Sequence, residues 1–368
     1  MAFPAACHDP VLDVPAPTAP EPGAYLRAAL NWHFGADTGS PFWLRIAETL
    51  DFDPRVEVRS YDDLAQFPAV VDQLRDAAVE DLIPRGYGCP APVPKVFESG
   101  GTTGAPKRTA QLPDWVEQVT RWQVEDFSAG GFVADAGLLA LVPGGPHGVG
   151  HFDRAVAERL GAPCHTVDLD PRWVKRLAAR PDRRSAAMVG DYVSHVLDQA
   201  RHILRSQRVK NLHATPPLLE AIATDEELTD LVRRRIRFIL LSGAHVDADT
   251  MDLFRTIFPA ATVSIAFGST MILSQAATRV VSDTAIFDPR SPYVVFWVVD
   301  PVSGERVGYG ERGQVVMHHI SKGMFIPNNL ERDTALRMPG PDGQIGDSLA
   351  EVVPVAVFDG EPVIEGVY

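Results

Sequence analysis

A run of small and hydroxyl-bearing residues, SGGTTGAPK, occupies positions 99–107 and ends on a lysine. Its glycines keep the backbone N–H groups accessible, its threonines add hydroxyl donors, and its lysine adds an ammonium group. Successive N–H groups, hydroxyls and a cation form a clamp that suits the oxygens of a triphosphate. The residues predicted to bind phosphate are Ser99, Gly101, Thr102, Thr103, Gly104 and Lys107.

The run does not match the nucleotide-binding P-loop, G-x-x-x-x-G-K-[ST]. Counting from Gly100 places Ala105 and Pro106 where that motif has its second glycine and its lysine. The next predicted helix begins near Asp114, too far along the chain for its N-terminus to bind the same phosphate. These mismatches exclude a P-loop.

Three further short stretches carry groups suited to a nucleotide, and they follow the loop in chain order. LLSGAH (240–245) and AFGSTM (266–271) each begin in or follow an apolar run typical of a strand, and GQIGDS (343–348) contains Gly346 and Asp347. A carboxylate such as that of Asp347 accepts two charge-assisted hydrogen bonds from a ribose diol. A lone Gly-Asp pair is usually a turn, so the order of the four stretches carries more weight than any one of them.

In this order, the four stretches resemble the motifs of the adenylate-forming superfamily, which includes acyl- and aryl-CoA ligases and peptide-synthetase adenylation domains. The loop resembles that family's pattern [TS]-S-G-T-T-G-x-P-K, with Gly100 in place of a serine. The resemblance implies that a carboxylate and ATP form an acyl-adenylate and pyrophosphate, with Mg²⁺ as the metal. It implies catalytic roles for Lys107 and for Thr270, which would hydrogen-bond the α-phosphate. The nucleotide contacts that it implies, besides the loop, are Gly243, Ala244, Phe267, Gly268 and Asp347.

The sequence departs from the family pattern at two places. Met271 stands where the family has a glutamate that helps to hold Mg²⁺, and a thioether is a poor ligand for that cation. Glu98 is one alternative acid for the metal, although it is also interpretable as an ordinary charge at the end of a strand. The family continues after the Gly-Asp pair into a separate C-terminal lid domain, whereas this chain ends shortly after Asp347. The lid domain is therefore expected to be absent.

This layout resembles the stand-alone adenylating enzymes of griseoluteate-type phenazine antibiotic biosynthesis. That resemblance implies a phenazine-type aromatic acid as the substrate and a downstream thioester-forming or reductase protein as the partner. The alternative is a nucleotide- or acyl-adenylate-binding protein with little or no turnover. The replacement of the family's glutamate by Met271 favours this alternative. The side chains predicted for the acid pocket are His147, His151, His245 and Met271.

Three other residue patterns have a weaker case for chemistry. His147 and His151 have a spacing at which two imidazoles on a helix can bind a metal, but the surrounding glycines and proline favour a loop. Ser242 lies outside any G-x-S-x-G motif and is not predicted to be a nucleophile. Asp333, in NNLERDTALR, competes with Asp347 for the ribose; we prefer Asp347 because it follows a glycine and precedes a strand.

The elements that must hold these residues alternate between helices and strands. Apolar spacing predicts helices at 24–34, 41–50, 61–82, 114–128, 151–160, 185–206, 215–223 and 247–257. Short apolar runs predict strands at 95–97, 138–142, 165–169, 209–214, 237–243 and 262–268. This alternation favours a mostly parallel sheet with helices on its faces. After about residue 280, the runs YVVFWVVD, GQVVMHHI and EVVPVAVF predict a small β-rich subdomain.

The predicted fold is therefore the α/β large domain of adenylate-forming enzymes. It is expected to comprise a Pro/Ala-rich surface arm at 1–23, an α/β adenylation core at 24–285, and a β-rich subdomain at 286–368 that completes the AMP site.

Composition excludes several other classes of protein. The chain has 368 residues, of which 45% are apolar and 22% charged, and this is ordinary for a globular protein. A formal charge of −14 without a basic patch argues against nucleic-acid and anionic-membrane partners. Cys7, Cys89 and Cys164 lie too far apart for a disulfide framework or a thiolate zinc site. No cationic leader and no apolar run of about 18 residues occur, so we expect a cytoplasmic protein.

Overall fold

The computed structural model describes residues 8–100, 105–180 and 182–355, together with the backbone of 357–358 and 361–362. In this part of the chain, no helix combines the length and the apolar character needed to cross a membrane. The α-helices are α1 (Pro22–Phe34), α2 (Pro41–Ala47), α3 (Pro54–Glu57), α4 (Pro113–Ala129), α5 (Gly148–Arg159), α6 (Pro171–Ala178), α7 (Arg183–Ser206), α8 (Pro216–Thr224), α9 (Glu226–Arg235) and α10 (Ala248–Ile257).

The strands form two main sheets and three short pairs. An antiparallel hairpin consists of β1 (Lys95–Glu98) and β2 (Arg108–Gln111). The parallel sheet consists of β3 (Gly137–Leu141), β4 (Cys164–Thr166), β5 (Val209–Ala214), β6 (Phe238–Leu241) and β7 (Thr262–Ile265), in the order β4-β3-β5-β6-β7. After the pair β8 (Gly268–Ser269) and β9 (Ser274–Gln275), the antiparallel sheet consists of β10 (Ala277–Val281), β11 (Thr284–Asp288), β12 (Val294–Val299), β13 (Arg312–Ile320), β14 (Phe325–Met338) and β15 (Ser348–Pro354). Its order is β10-β11-β15-β14-β13-β12, and the short pair β16 (Val357–Phe358) and β17 (Glu361–Pro362) follows.

Helices cover both faces of the parallel sheet, which confirms the predicted α/β fold class. Successive side chains of a strand point to opposite faces. Leu212 and Ile239 therefore share a core with α7 to α10, whereas Leu240 packs with Phe127 of α4 and Val156 of α5. With both faces covered, the carboxyl ends of the strands are the place where such a sheet binds ligands.

The N-terminal segments pack against the antiparallel sheet. The Tyr25 hydroxyl donates to the Ile320 carbonyl at 3.0 Å, and the Trp43 indole N–H donates to the Phe325 carbonyl at 2.8 Å. Leu12, in the segment predicted to be a surface arm, is buried in the same core. This core joins parts of the chain that the predicted boundary at 285/286 separates, and the boundary itself falls inside β11.

The segment 61–82, predicted to be helical, forms three short 3₁₀ helices at Tyr61–Gln66, Val71–Arg75 and Val79–Leu82. A residue that precedes proline is disfavoured in the α region, and Phe67, before Pro68, has an extended ψ of 141°. The elements that the sequence analysis did not predict include α6 and β14. Both border the site described next.

Candidate active site

A cleft opens where β5, β6 and β7 end, between the parallel sheet and β14. It consists of two adjoining cavities of about 230 and 140 Å³, which we call the larger and the smaller cavity. A wider groove of about 710 Å³ lies beside α10. Of the described residues that were predicted for the site, His245 is the one that lines this groove. The cleft is therefore the candidate active site. The residues that line both of its cavities are Lys175, Gly243, Ala266, Gly268 and Arg332.

Aromatic side chains form much of the wall of the larger cavity. Phe97 comes from the hairpin, Phe127 from α4 and Phe152 from α5, and His147 lies beside them. Burial, assisted by the nearby charge of Arg172, lowers the pKa of His147 to about 4. The larger cavity therefore offers flat apolar surfaces and an imidazole that is neutral at pH 7.

Two buried polar atoms in the larger cavity have no hydrogen-bond partner in the described part of the chain. They are Oε1 of Gln111, a residue that is 3% exposed, and Oγ of Ser274. A buried polar atom left unsatisfied costs about 1–3 kcal/mol, so these two atoms are unfavourable features of the cavity wall.

The smaller cavity combines an aromatic ring with a carboxylate. Phe267, which follows β7, lines it and has its ring 5.4 Å from that of Phe287. Gly243 and Ala244, which follow β6, form another wall, and Gly243 has a φ of +84° that favours glycine. Asp333 of β14 supplies the carboxylate.

Asp347, the predicted ribose ligand, does not line the cleft. It is 1% exposed, and its carboxylate accepts hydrogen bonds from Arg337 Nε at 2.8 Å and from the Val298 N–H at 3.1 Å. Both oxygens therefore serve to join β14 to β12. The structure brings Asp333, and not the preferred Asp347, into the cavity with Phe267.

The Gly/Thr loop joins β1 to β2, and its two ends hold each other. The Lys107 N–H donates to Ser99 Oγ at 2.9 Å, and the Ser99 N–H donates to the Lys107 carbonyl at 2.9 Å. Gly100 lines the larger cavity, whereas the Lys107 ammonium makes a 3.2 Å ion pair with Asp72. The predicted phosphate ligands Gly101, Thr102, Thr103 and Gly104 lie outside the described residues.

Two cations of α6, neither of them predicted, lie next to this loop. Arg172 donates from Nη2 to the Ser99 carbonyl at 3.2 Å. Lys175 is 9% exposed, lines both cavities, and has its Nζ 3.5 Å from the position that a Cβ of residue 100 would take. The sequence does signal α6, through Asp170 as an N-cap followed by Pro171, but it gives no sign that Lys175 faces a cleft.

Glu98 is engaged in ion pairs and not placed as a metal ligand. Its carboxylate lies 3.0 Å from Arg108 Nε and 2.7 Å from Arg172 Nη2. Partial burial alone would raise the pKa of Glu98, but the hydrogen bonds from Arg172 and Arg108 outweigh it and lower the pKa. Two guanidinium groups repel a dication, so this environment disfavours Glu98 as a metal ligand. Within the described ranges, no group of three or more His, Cys, Asp or Glu side chains is arranged to hold a metal ion.

Thr270 and Met271 begin a 3₁₀ helix, Thr270–Ile272, directly after β8. Thr270 lines the larger cavity, as a residue close to the reacting groups must. Met271 points the other way and is buried in the core shared with the antiparallel sheet. Met271 does not line either cavity, so the structure does not bring it into the acid pocket predicted for it.

Replacing Met271 by glutamate is expected to destabilise the protein instead of restoring a metal ligand. The new carboxylate would be buried without a partner, at a cost of about 3 kcal/mol. Thermal unfolding with and without Mg²⁺ measures the change. Met271→Leu, which nearly conserves volume, is the control and should cost less than about 1.5 kcal/mol. Parental stability of Met271→Glu, with added stabilisation by Mg²⁺, would contradict the core position.

Two of the histidines predicted for the acid pocket lie elsewhere. The His151 ring is behind the wall of the larger cavity, 5.5 Å from Phe97 and 5.3 Å from Phe152, and burial lowers its pKa. His245 lines the smaller cavity, with its Nδ1 2.8 Å from the Val352 carbonyl. Of the predicted histidines, His147 is the one that lines the larger cavity.

A serine–histidine–aspartate array in the larger cavity was not predicted from the sequence. His213 Nδ1 lies 2.9 Å from both carboxylate oxygens of Asp153, and His213 Nε2 lies 2.7 Å from Ser242 Oγ. The three residues come from β5, α5 and the turn after β6, and all of them line the cavity. Such an array is recognised by geometry and not by a contiguous motif.

Comparisons with known proteins establish the fold. No protein-family profile and no curated protein matches the sequence. Among solved structures, 2-hydroxyisobutyryl-CoA ligase in complex with 2-HIB-AMP and CoA, in the thioesterification state, superposes with a TM-score of 0.63 at 16% identity, over 94% of this chain and 70% of that chain. The same ligase in the postadenylation state, in complex with R3-HIB-AMP, gives a TM-score of 0.60 at 16% identity, over 96% of this chain and 72% of that chain. The chain therefore has the fold of the N-terminal domain of adenylate-forming enzymes.

Proposed function

We propose that the protein binds ATP and an aromatic carboxylic acid in the cleft and converts them to an acyl-adenylate and pyrophosphate. The observation that carries this proposal is the continuity of two chemically different cavities. The smaller cavity combines Phe267 with the carboxylate of Asp333, the larger one is walled by phenylalanine rings, and both are lined by Lys175. A nucleotide in the first and an acid in the second would meet beside that lysine.

On the nucleotide side, adenine packs between the ring of Phe267 and the backbone at Gly243 and Ala244. Asp333 takes the role that the sequence assigned to Asp347 and accepts hydrogen bonds from the ribose hydroxyls. The placement of Asp333 and Phe267 in one cavity of about 140 Å³ supports these roles.

The phosphates lie between the Gly/Thr loop and α6. Thr270 donates its hydroxyl to the α-phosphate, and Lys175 supplies positive charge at the same place. The loop contributes N–H groups and hydroxyls, and Lys107 binds the outer phosphates after leaving Asp72. The inward position of Thr270 and the contact of Lys175 with both cavities support this arrangement.

We expect Lys107→Ala to raise the ATP concentration required for half-maximal activity about tenfold, a loss of about 1.4 kcal/mol of binding. Use of the acid should be unchanged, because Lys107 does not line either cavity. Asp72→Ala is the matched variant; it frees the ammonium from its ion pair and should lower the ATP requirement. An unchanged ATP requirement in Lys107→Ala would contradict the assignment of the loop.

The acid is proposed to be flat, aromatic and able to donate a hydrogen bond. The rings of Phe97, Phe127 and Phe152 suit an aromatic system, and the side-chain amide of Gln111 is proposed to accept a hydrogen bond after a small movement of the side chain. A phenazine-type carboxylic acid of antibiotic biosynthesis, which the sequence resemblance implies, is our proposed substrate. A downstream thioester-forming or reductase protein would take the acyl group.

The chemistry requires positioning and charge stabilisation more than proton transfer, because the attacking carboxylate is already ionised at neutral pH. A carboxylate oxygen attacks the α-phosphorus in line with the leaving group. The bond from the α-phosphorus to the bridging oxygen breaks, and pyrophosphate leaves with the electron pair. Lys175 and Thr270 offset the charge that develops on the α-phosphate oxygens. Among the described residues no group of three or more His, Cys, Asp or Glu side chains is arranged around a metal position, and no step is assigned to a metal held by the chain.

A second candidate function is binding of a nucleotide or acyl-adenylate with little or no turnover. The observation that favours it is that neither of the two residues considered as Mg²⁺ ligands is free to bind the metal. Met271 is in the core, and Glu98 is held by two arginines.

Pyrophosphate exchange into ATP, measured with a panel of aryl and phenazine carboxylic acids, tests the proposed reaction. Calorimetric titration with ATP is performed on the same protein. Exchange that depends on one of the acids supports adenylation. ATP binding without exchange across the panel favours the binding protein, and the absence of both contradicts both functions.

A further inference from the structure

The Ser242–His213–Asp153 array has the geometry of an activated nucleophile. The carboxylate of Asp153 can only accept, so the 2.9 Å contacts place a proton on His213 Nδ1. In the neutral imidazole Nε2 is then an acceptor, and the Ser242 hydroxyl donates the hydrogen bond of 2.7 Å. A hydroxyl bound to an imidazole that is itself oriented by a carboxylate is the arrangement that makes serine nucleophilic.

The fold holds these three groups rigidly. His213 is the second-last residue of β5 and faces α5, where Asp153 is buried, while Ser242 begins the turn after β6. The neighbouring strands β5 and β6 are paired in parallel register, and His213 lies opposite Leu240. The distances are thus fixed by paired strands and a packed helix, which is how a catalytic array must be supported.

The array is also accessible to a ligand. Ser242 is partly exposed, while His213 and Asp153 are buried beneath it, and all three line the larger cavity. A network that only stabilised the core would not need its hydroxyl end in a cavity. Gly243, the next residue, also lines the cavity, and its N–H is the candidate donor to a carbonyl oxygen under attack.

We propose that Ser242 accepts an acyl group from an activated aromatic ester bound in the larger cavity. Ser242 Oγ forms a bond to the carbonyl carbon and gives its proton to His213 Nε2. The bond from the carbonyl carbon to the leaving oxygen breaks, and that oxygen departs with the electron pair and takes the proton from His213. Water or a thiol then attacks the acyl-serine and restores the hydroxyl. Asp153 is a positioning residue that fixes the tautomer and orientation of His213.

This inference does not depend on the proposed adenylation, because an ester supplies the activated acyl group without ATP. If adenylation also takes place, the acyl-adenylate is a second donor of the same type. AMP then replaces the alcohol as the leaving group, and the serine proton passes through His213 to water.

The test uses the full chain, p-nitrophenyl benzoate and no nucleotide. We expect a burst of p-nitrophenolate close to one equivalent per chain, and a benzoyl adduct on the peptide that contains Ser242 by mass spectrometry. Ser242→Ala should lose both the burst and the adduct. Ser194→Ala, an exposed serine of α7 whose hydroxyl bonds the Gly190 carbonyl, is the matched control and should keep both.

The role of the other two residues is tested by the acylation rate and by the KM for the ester. His213→Gln and Asp153→Asn should slow acylation about 10²–10⁴-fold. In Asp153→Asn the KM for the ester should stay near the parental value while the acylation rate falls, because Asp153 acts through His213. Circular dichroism of each variant checks folding, and Ser242→Ala tests the proposal even if a buried variant unfolds. Absence of an adduct in the parent, or an adduct that persists in Ser242→Ala, overturns the proposal.

Discussion

Replacing Lys175 by methionine is expected to lower the rate of acid-dependent pyrophosphate exchange about 10²–10³-fold, the usual effect of removing one group that stabilises transition-state charge. Lys175 lines both cavities and lies against the backbone of Gly100, so its ammonium is close to both proposed substrates. Because the charge on the α-phosphate oxygens increases during attack, the maximal rate should fall while the KM for the acid changes little.

A matched control for this substitution is Lys95→Met, which removes the same charge from the exposed end of β1. It should keep the parental rate, which excludes a general effect of net charge. A rate of Lys175→Met within about threefold of the parent would show that Lys175 does not contact the reacting phosphate.

The parts of the site that follow buried strands could be predicted from the sequence. The run at 237–243 contains FILL, and the strand that these four residues form, β6, is buried throughout. The run at 262–268 forms the edge strand β7, in which Val263 is buried. The turns after them, with Gly243 and Phe267, could therefore be assigned to the same edge of a parallel sheet. The structure places both of these residues in the smaller cavity.

The strand that carries Asp333 could not be predicted in this way. β14 lies at the centre of the antiparallel sheet, but its sequence contains Pro327 and two asparagines, which argue against a central strand. The structure accommodates them at an irregularity: the pairing with β13 shifts between Met317 and His319, and Asn328 has a positive φ of 50°. Without this strand, the sequence offered Asp333 only as a competitor of Asp347 and gave no reason to place it beside Phe267.

Lys175 and the Ser242–His213–Asp153 array show a second limit of prediction from the sequence. Lys175 is one of several cations in α6, and its helix position does not reveal that it faces a cleft formed by distant strands. His213 and Asp153 are 60 residues apart, so their contact is a product of tertiary packing alone. Local patterns predict the backbone around a site better than they predict which polar side chains converge on it.

Asp333→Asn is expected to impair the use of ATP, whereas Asp347→Asn is expected to lower the stability of the fold. Asp333 lines the cavity proposed for the ribose, so its loss should raise the KM for ATP about tenfold or more, since a charge-assisted hydrogen bond contributes about 1.5–3 kcal/mol. Asp347 is buried and paired with Arg337, and removing one partner of a buried ion pair costs about 3–5 kcal/mol.

Urea unfolding and the ATP dependence of exchange, measured on both variants, separate these effects. Asp347→Asn should unfold at a much lower urea concentration, yet retain the parental KM for ATP in the fraction that stays folded. The opposite pattern, with a stable Asp347→Asn that no longer uses ATP, would restore the family-based assignment of the Gly-Asp pair. It would also remove the basis for placing the nucleotide in the smaller cavity, because Asp333 is the carboxylate of this cavity to which we assign the ribose. The two aspartates thus test the position of the nucleotide independently of the identity of the acid.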